Sequence, residues 1–286
     1  MSNSDSDRSI LVDGIRVPRF LYGTAWKEDE TARLTALALQ EGFRGIDTAN
    51  QRRHYFEAAV GQGIANAIAS GLLSREDLFL QTKFTFRGGQ DNRLPYDATA
   101  PIATQVEQSF ASSLEHLGTS QIDSYVLHGP SVREGLAAVD WDAWRAMEAV
   151  HDSRRARLLG VSNVTLAQLQ ELYANARVQP RFVQNRCHAI RGWDRRVREF
   201  CAANGIIYQG FSLLTANRDA LVHPDLLRIA ARHKRSAAEI VFRFAFEVGM
   251  IILTGTTSAG HMRADLSILD FALERNEVER IERIAG

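Results

Sequence analysis

Four ionisable side chains stand where the chain leaves short apolar runs. Asp47 ends FRGID (43–47), Lys83 ends DLFLQTK (77–83) and His128 ends IDSYVLH (122–128), while Tyr55 follows in the loop after the first of these runs. A carboxylate, an ammonium, an imidazole and a phenol that converge on one point could move protons as general acids and bases. A desolvated lysine among them could instead act as a nucleophile on a carbonyl. Each has a bland alternative. A strand-ending Asp is often a helix cap, a lone Lys is usually solvated, a His before Gly-Pro can be a satisfied loop residue, and one Tyr among six is usually packing. Joint placement at successive strand ends favours the chemical reading.

Such placement needs elements that repeat. Short apolar runs alternate with longer amphipathic stretches through almost the whole chain, which is the pattern of parallel strands built from βα units. Strands are expected to begin at 20, 43, 77, 122, 156, 181, 206 and 249, with helices between them, for example over 29–42, 57–71, 140–154 and 259–271. Asp140 is expected to cap its helix, and Pro101 to sit in the first turn of another. Eight such units without a linker predict a single (β/α)8 TIM barrel, with a doubly wound sheet as the competing architecture. Asp13-Gly14 between β-prone residues predicts an N-terminal β-hairpin that would plug the bottom of the barrel. Residues 1–9 read as a flexible tail and 10–286 as one domain.

The chain has 286 residues, enough to bury a large core. It carries 34 Lys plus Arg against 34 Asp plus Glu, and so shows no basic excess of the kind nucleic-acid proteins have. No apolar run reaches the roughly 20 residues of a membrane span, and the head MSNSDSDRS has no apolar signal region. Two cysteines are too few for a disulfide framework. These features predict a cytoplasmic protein with no membrane or nucleic-acid partner and no metal.

Eight segments, in order, resemble the aldo-keto reductase family. They are GFRGIDTA (42–49), Tyr55 with Glu57 and Val60-Gly61, LFLQTK (78–83), VLHGP (126–130), RLLGVSN (157–163), VQN (183–185), GFSLL (210–214) and LTGTTSAGHMRADL (253–266). The resemblance runs from about Leu11 to the end. It implies a carbonyl reductase in which Tyr55, Lys83, Asp47 and His128 are catalytic. A phenol with a pKa of about 10 is a weak acid near neutrality. On this reading Lys83 would lower the pKa of Tyr55, Asp47 would hold Lys83 charged, and His128 would orient the substrate oxygen.

The resemblance also implies a nicotinamide cofactor, NADPH first and NADH as the alternative. Ser162, Asn163 and Gln184 would meet its carboxamide, and Phe211 would stack on its ring. Ser212 and Leu214 would meet the pyrophosphate, and Gly255, Thr256, Thr257, His261, Arg263 and Asp265 belong to the final phosphate loop. The sequence departs from the family in three places. The gap from Asp47 to Tyr55 is long, so that plain counting would select Arg52. Gly129 follows His128 where many members carry Trp. Gly255 and His261 stand where Lys and Arg are usual. Gly129, with a short segment after Phe271, implies an open pocket for bulky carbonyls. Candidate wall residues are Trp26, Phe84, Phe86, Tyr96 and Trp193. A small carbonyl compound is the expected partner, and the chain is expected to be a monomer or weak oligomer. Two other readings are a Schiff-base aldolase using Lys83 and a non-catalytic nicotinamide-binding redox sensor.

Overall fold

The structure is a computed structural model, and it describes residues 8–284. The expected tail lies outside the described residues up to position 7, and the first strand begins at Ser9. In chain order the elements are β1 (Ser9–Val12), β2 (Ile15–Pro18), β3 (Phe20–Gly23), α1 (Thr31–Gln40), β4 (Gly45–Asp47), α2 (Glu57–Ala69), β5 (Phe79–Phe84), α3 (Ile102–Leu117), β6 (Ile122–Leu127), α4 (Ala138–Asp152), β7 (Ala156–Ser162), α5 (Leu166–Asn175), β8 (Phe182–Arg186), α6 (Arg195–Ala203), β9 (Ile207–Phe211), α7 (Arg218–Leu221), α8 (Pro224–His233), α9 (Ala237–Glu247), β10 (Ile251–Thr254), α10 (Ala259–Leu266) and α11 (Arg275–Glu282). Strands β3 to β10 close into one barrel in sequence order, and β1 and β2 form a separate antiparallel pair. The doubly wound alternative is thereby excluded.

The hairpin turns where the sequence places it. Asp13 and Gly14 have φ of 49° and 79°, the two left-handed residues a tight turn of this kind requires. Val12 pairs with Ile15 across it. Beyond the turn Ile15 and Val17 are buried and Arg16 is exposed, the alternation of a half-buried strand.

Two compact units make up the chain. One spans Tyr22–Val183, and the other holds the residues up to Leu21 and from Gln184 onward. Within the first, every residue of β4, β5 and β6 is buried, as expected of strands covered by helices. Helix α2 comes so close to α3 that a Cβ on Gly61 would lie 1.8 Å from the His116 carbonyl oxygen. This approach lets buried Glu57 accept hydrogen bonds from the Thr82 hydroxyl and, at 3.0 Å, pair with His116 Nδ1. Gly61→Ala should therefore force the helices apart and cost about 3 kcal/mol, the upper range for overpacking. A urea midpoint equal to that of the unaltered protein would contradict this packing.

In the second unit, both cysteines, Cys187 and Cys201, are free and buried. Burial pushes each thiol up to about 12. Trp193, one of the candidate wall residues, is also fully buried here and donates its indole N–H to the Ile281 carbonyl at 2.9 Å. It is a core residue that anchors α11.

Two helix starts differ from expectation. Helix α4 begins at Ala138, so Asp140 lies inside its first turn. From there its carboxylate accepts the Ala137 N–H at 2.8 Å and the Ser131 N–H at 2.7 Å. Pro101 precedes Ile102 as the cap residue of α3 with extended ψ, rather than sitting inside the first turn. None of the described helices is long and apolar enough to cross a membrane.

Candidate active site

Strand pairing in the 22–183 unit brings the catalytic candidates together. Gly23 pairs with Asp47, Asp47 with Gln81, and Lys83 with Val126, so the ends of β4, β5 and β6 lie side by side. The ladder continues past the strands: Thr48 N–H donates to the Gln81 carbonyl, and His128 N–H to the Phe84 carbonyl, each at 2.9 Å.

Lys83 is fully buried. Its Nζ lies 2.7 Å from both Asp47 oxygens and 2.8 Å from the Thr48 carbonyl. These three acceptors match the three protons of an ammonium group. Gln81 Nε2 donates to Asp47 Oδ1 at 2.7 Å and fixes the carboxylate in turn. Burial pulls the Lys83 pKa down, and the charge and hydrogen bonds of Asp47 oppose it. A lysine held this way is occupied as a cation and is poorly placed to attack a carbonyl, which weighs against the aldolase reading.

Tyr55 joins this pair. The Lys83 Nζ lies 5.3 Å from its ring centroid, and the His128 ring meets it edge-on at 5.9 Å and 68°. Arg52, the residue selected by plain counting, turns elsewhere. It stacks 4.1 Å from the Phe56 ring centroid and pairs with Glu28 at 3.3 Å. The net shift of Tyr55 runs opposite to the lowering expected from Lys83. Burial first, and the Asp47 charge second, hold the phenol well above its ordinary pKa. Asp47 bonds Lys83 through both oxygens, so the phenol stands near a carboxylate as well as the cation.

His128 is held neutral. Burial, and then the Lys83 charge, pull its pKa down to about 3. Its Nδ1 lies 2.6 Å from Thr85 Oγ1. Asn163 donates its amide to the His128 carbonyl at 2.8 Å and to Ser162 Oγ at 3.1 Å. Asn163 adopts φ of 54°, so the chain turns sharply after β7 and leaves this side chain exposed beside buried Ser162. The aromatic candidates divide. Phe84 and Tyr96 are buried, and Tyr96 donates its hydroxyl to the Thr85 carbonyl at 2.8 Å. Trp26 is 69% exposed and stacks on His54, the neighbour of Tyr55, at 4.1 Å.

The other unit carries the remaining candidates. Gln184 is buried and donates to Gln209 Oε1 at 3.0 Å. Phe211 ends β9 with its ring partly exposed, and Arg186 lies 5.6 Å over that ring. Ser212 has φ of 57° and starts a turn in which Asn217 is the clasp. The Asn217 Oδ1 accepts the Ala189 N–H at 2.6 Å, and its amide donates to the Cys187 and Leu213 carbonyls at 2.8 Å. Leu214 is half-buried within this turn.

Gly255, Thr257, His261 and Arg263 are exposed and Thr256 is half-buried. Ser258 caps α10 by accepting the His261 N–H at 3.4 Å. The His261 ring sits 3.4 Å from Thr256 Oγ1. Asp265 faces inward. It is buried, accepts the Thr254 hydroxyl at 2.9 Å, and is pushed up to about 7 by burial.

The donor set fits a nicotinamide dinucleotide. Hydroxyl and amide groups stand at strand ends, one strand-end ring is partly exposed, and a hydroxyl-rich loop opens a helix where anions are favoured. Among the described residues no group of three His, Cys, Asp or Glu is placed to hold a metal ion. Sequence reasoning missed Gln81, Thr85, Arg186 and Asn217.

Residues 21–285 match the Aldo/keto reductase family. The chain is 30% identical to the uncharacterized oxidoreductase YtbE of Bacillus subtilis, over 97% of this chain and 92% of that one. It is 28% identical to the glyoxal reductase of the same organism, over 99% and 95%. The crystal structure of a Bombyx mori aldo-keto reductase in complex with NADP has a TM-score of 0.81 and 26% identity, covering 96% of this chain and 91% of that one. The chain belongs to the aldo/keto reductase family. It is an NAD(P)H-dependent carbonyl reductase.

Proposed function

We propose that this enzyme reduces aldehydes or ketones to alcohols with NADPH, and that Tyr55 delivers the proton. The observation that carries this is the contact of Tyr55 with both the buried Lys83–Asp47 pair and the neutral His128. When bound, NADPH supplies the hydride. Ser162, Asn163 and Gln184 hold its carboxamide, Phe211 supports its ring, and Ser212 and Leu214 meet its pyrophosphate. Gly255, Thr256, Thr257, His261, Arg263 and Asp265 form the segment around its remaining phosphate.

The raised pKa of Tyr55 suits the reductive direction. It keeps the proton on the phenol oxygen until a stronger base forms beside it, and an alkoxide is such a base. The Lys83 cation then favours the phenolate that remains. His128 carries no charge and offers a ring N–H as a hydrogen-bond donor to the carbonyl oxygen. Gly129 leaves space beside it: a Cβ there would meet only Asn163 Cβ at 3.5 Å and the Ser162 carbonyl oxygen at 3.6 Å. That space favours bulky carbonyl substrates. On this reading residues 10–286 act as one domain, as a monomer or weak oligomer in the cytoplasm, on a small carbonyl compound and without a nucleic-acid partner.

The test is a turnover screen that follows loss of reduced nicotinamide absorbance, from small aldehydes to bicyclic ketones, with each cofactor. No turnover with any carbonyl would overturn the reading and favour a redox sensor. In parallel titrations NADPH should bind about tenfold tighter than NADH, worth about 1.4 kcal/mol. A modest ratio is expected because Gly255 and His261 stand where Lys and Arg are usual, which leaves Arg263 as the nearby cation. Equal affinities would remove these residues from the phosphate site.

A further inference from the structure

We propose that Thr85 is a positioning residue that fixes the ring orientation and tautomer of His128, so that Nε2 carries the ring proton. The inference rests on the reading of His128 as a donor to the carbonyl oxygen. It begins with strand register. Parallel pairing of β5 with β6 runs from Gln81–Ser124 to Phe84–Leu127, and one step further sets Thr85 beside His128. The His128 N–H bond to the Phe84 carbonyl holds that register at the strand ends.

Thr85 is itself tightly held. It is buried, and its carbonyl accepts the Tyr96 hydroxyl at 2.8 Å and Gln90 Nε2 at 3.4 Å. Its methyl fills the space left by Gly89, where a Cβ would come within 2.7 Å of Cγ2. A β-branched side chain with its methyl seated has one way to point its hydroxyl. That hydroxyl meets His128 Nδ1 at 2.6 Å.

The direction of this hydrogen bond follows from what else surrounds it. Among the described residues Thr85 Oγ1 has no second hydrogen-bond partner. If Nδ1 were the donor, the buried hydroxyl proton would be left with no acceptor, which is costly. If the hydroxyl donates, its proton is satisfied and Nδ1 is the acceptor. A neutral imidazole has one proton to place, so it sits on Nε2. The Lys83 cation and burial keep the ring neutral, so the second proton that would erase this distinction is absent.

The test uses nitrogen-15 NMR of the histidine side chains in the intact protein without substrate, with His128 assigned by comparison with His128→Gln. The expected spectrum has a protonated Nε2 and an unprotonated, hydrogen-bonded Nδ1. Thr85→Val keeps the shape and removes the donor, and should give mixed tautomers or orientations. It should lower kcat about tenfold with cofactor affinity unchanged, while Thr85→Ser restores both spectrum and rate. A proton on Nδ1 in the unaltered protein overturns the proposal whether or not the valine variant folds. So does a Thr85→Val spectrum identical to the original. If the spectra behave as expected but no variant reduces any carbonyl, the role of Thr85 stands and the activity reading fails.

Discussion

Tyr55→Phe is expected to lower carbonyl reduction by about a thousandfold or more, within the range a positioned general acid contributes. Cofactor binding should remain nearly intact, because the cofactor candidates lie on other strand ends. The substitution removes one oxygen and keeps the ring that packs against Lys83 and His128. A loss of turnover therefore reports the missing proton rather than a collapsed site. Arg52→Ala provides the contrast. Its guanidinium stacks on Phe56 and pairs with the exposed Glu28, so its loss should be mild. Retained turnover in Tyr55→Phe, measured with the best carbonyl of the screen, would require a different acid.

The second large effect is on stability as well as rate. Lys83→Met leaves the Asp47 carboxylate buried with no cation, and breaking such a pair from one side costs about 3–5 kcal/mol. Reduction should fall with it, since Tyr55 then faces an uncompensated negative charge. The double variant Asp47→Asn with Lys83→Met removes both charges and should recover much of the stability but not the activity. Urea unfolding and turnover of the two variants, set beside the unaltered protein, separate the two effects. A stability loss below about 1 kcal/mol for the single variant would mean that water or another group compensates Asp47.

Much of this arrangement was legible because strands and helices leave periodic traces. Strand-like runs such as IDSYVLH (122–128) and the Gly stops of helices marked where each unit turned, and the barrel follows from their repetition. Tyr55 was legible despite its unusual spacing because Glu57 and Gly61 follow it. The structure gives those two residues a packing role at the contact of α2 with α3. Thr85 was not legible, since a threonine beyond a strand has no pattern to distinguish it and its role depends on a cross-strand neighbour 43 positions away. Trp193 was one of several candidate wall residues, and its packing role shows only where tertiary contacts bury it. The direction of the Tyr55 pKa was misjudged because sequence gives the charged neighbours but not the burial of the phenol, which is the largest cause of its shift.

An enzyme whose substrates are electrophiles risks being alkylated by them. This one has two cysteines, both sealed in the interior and held as neutral thiols. Reactive carbonyls should therefore pass through without consuming it. The same feature makes the natural chain a silent background for labelling: one cysteine introduced at the surface would be the sole thiol a maleimide dye can find.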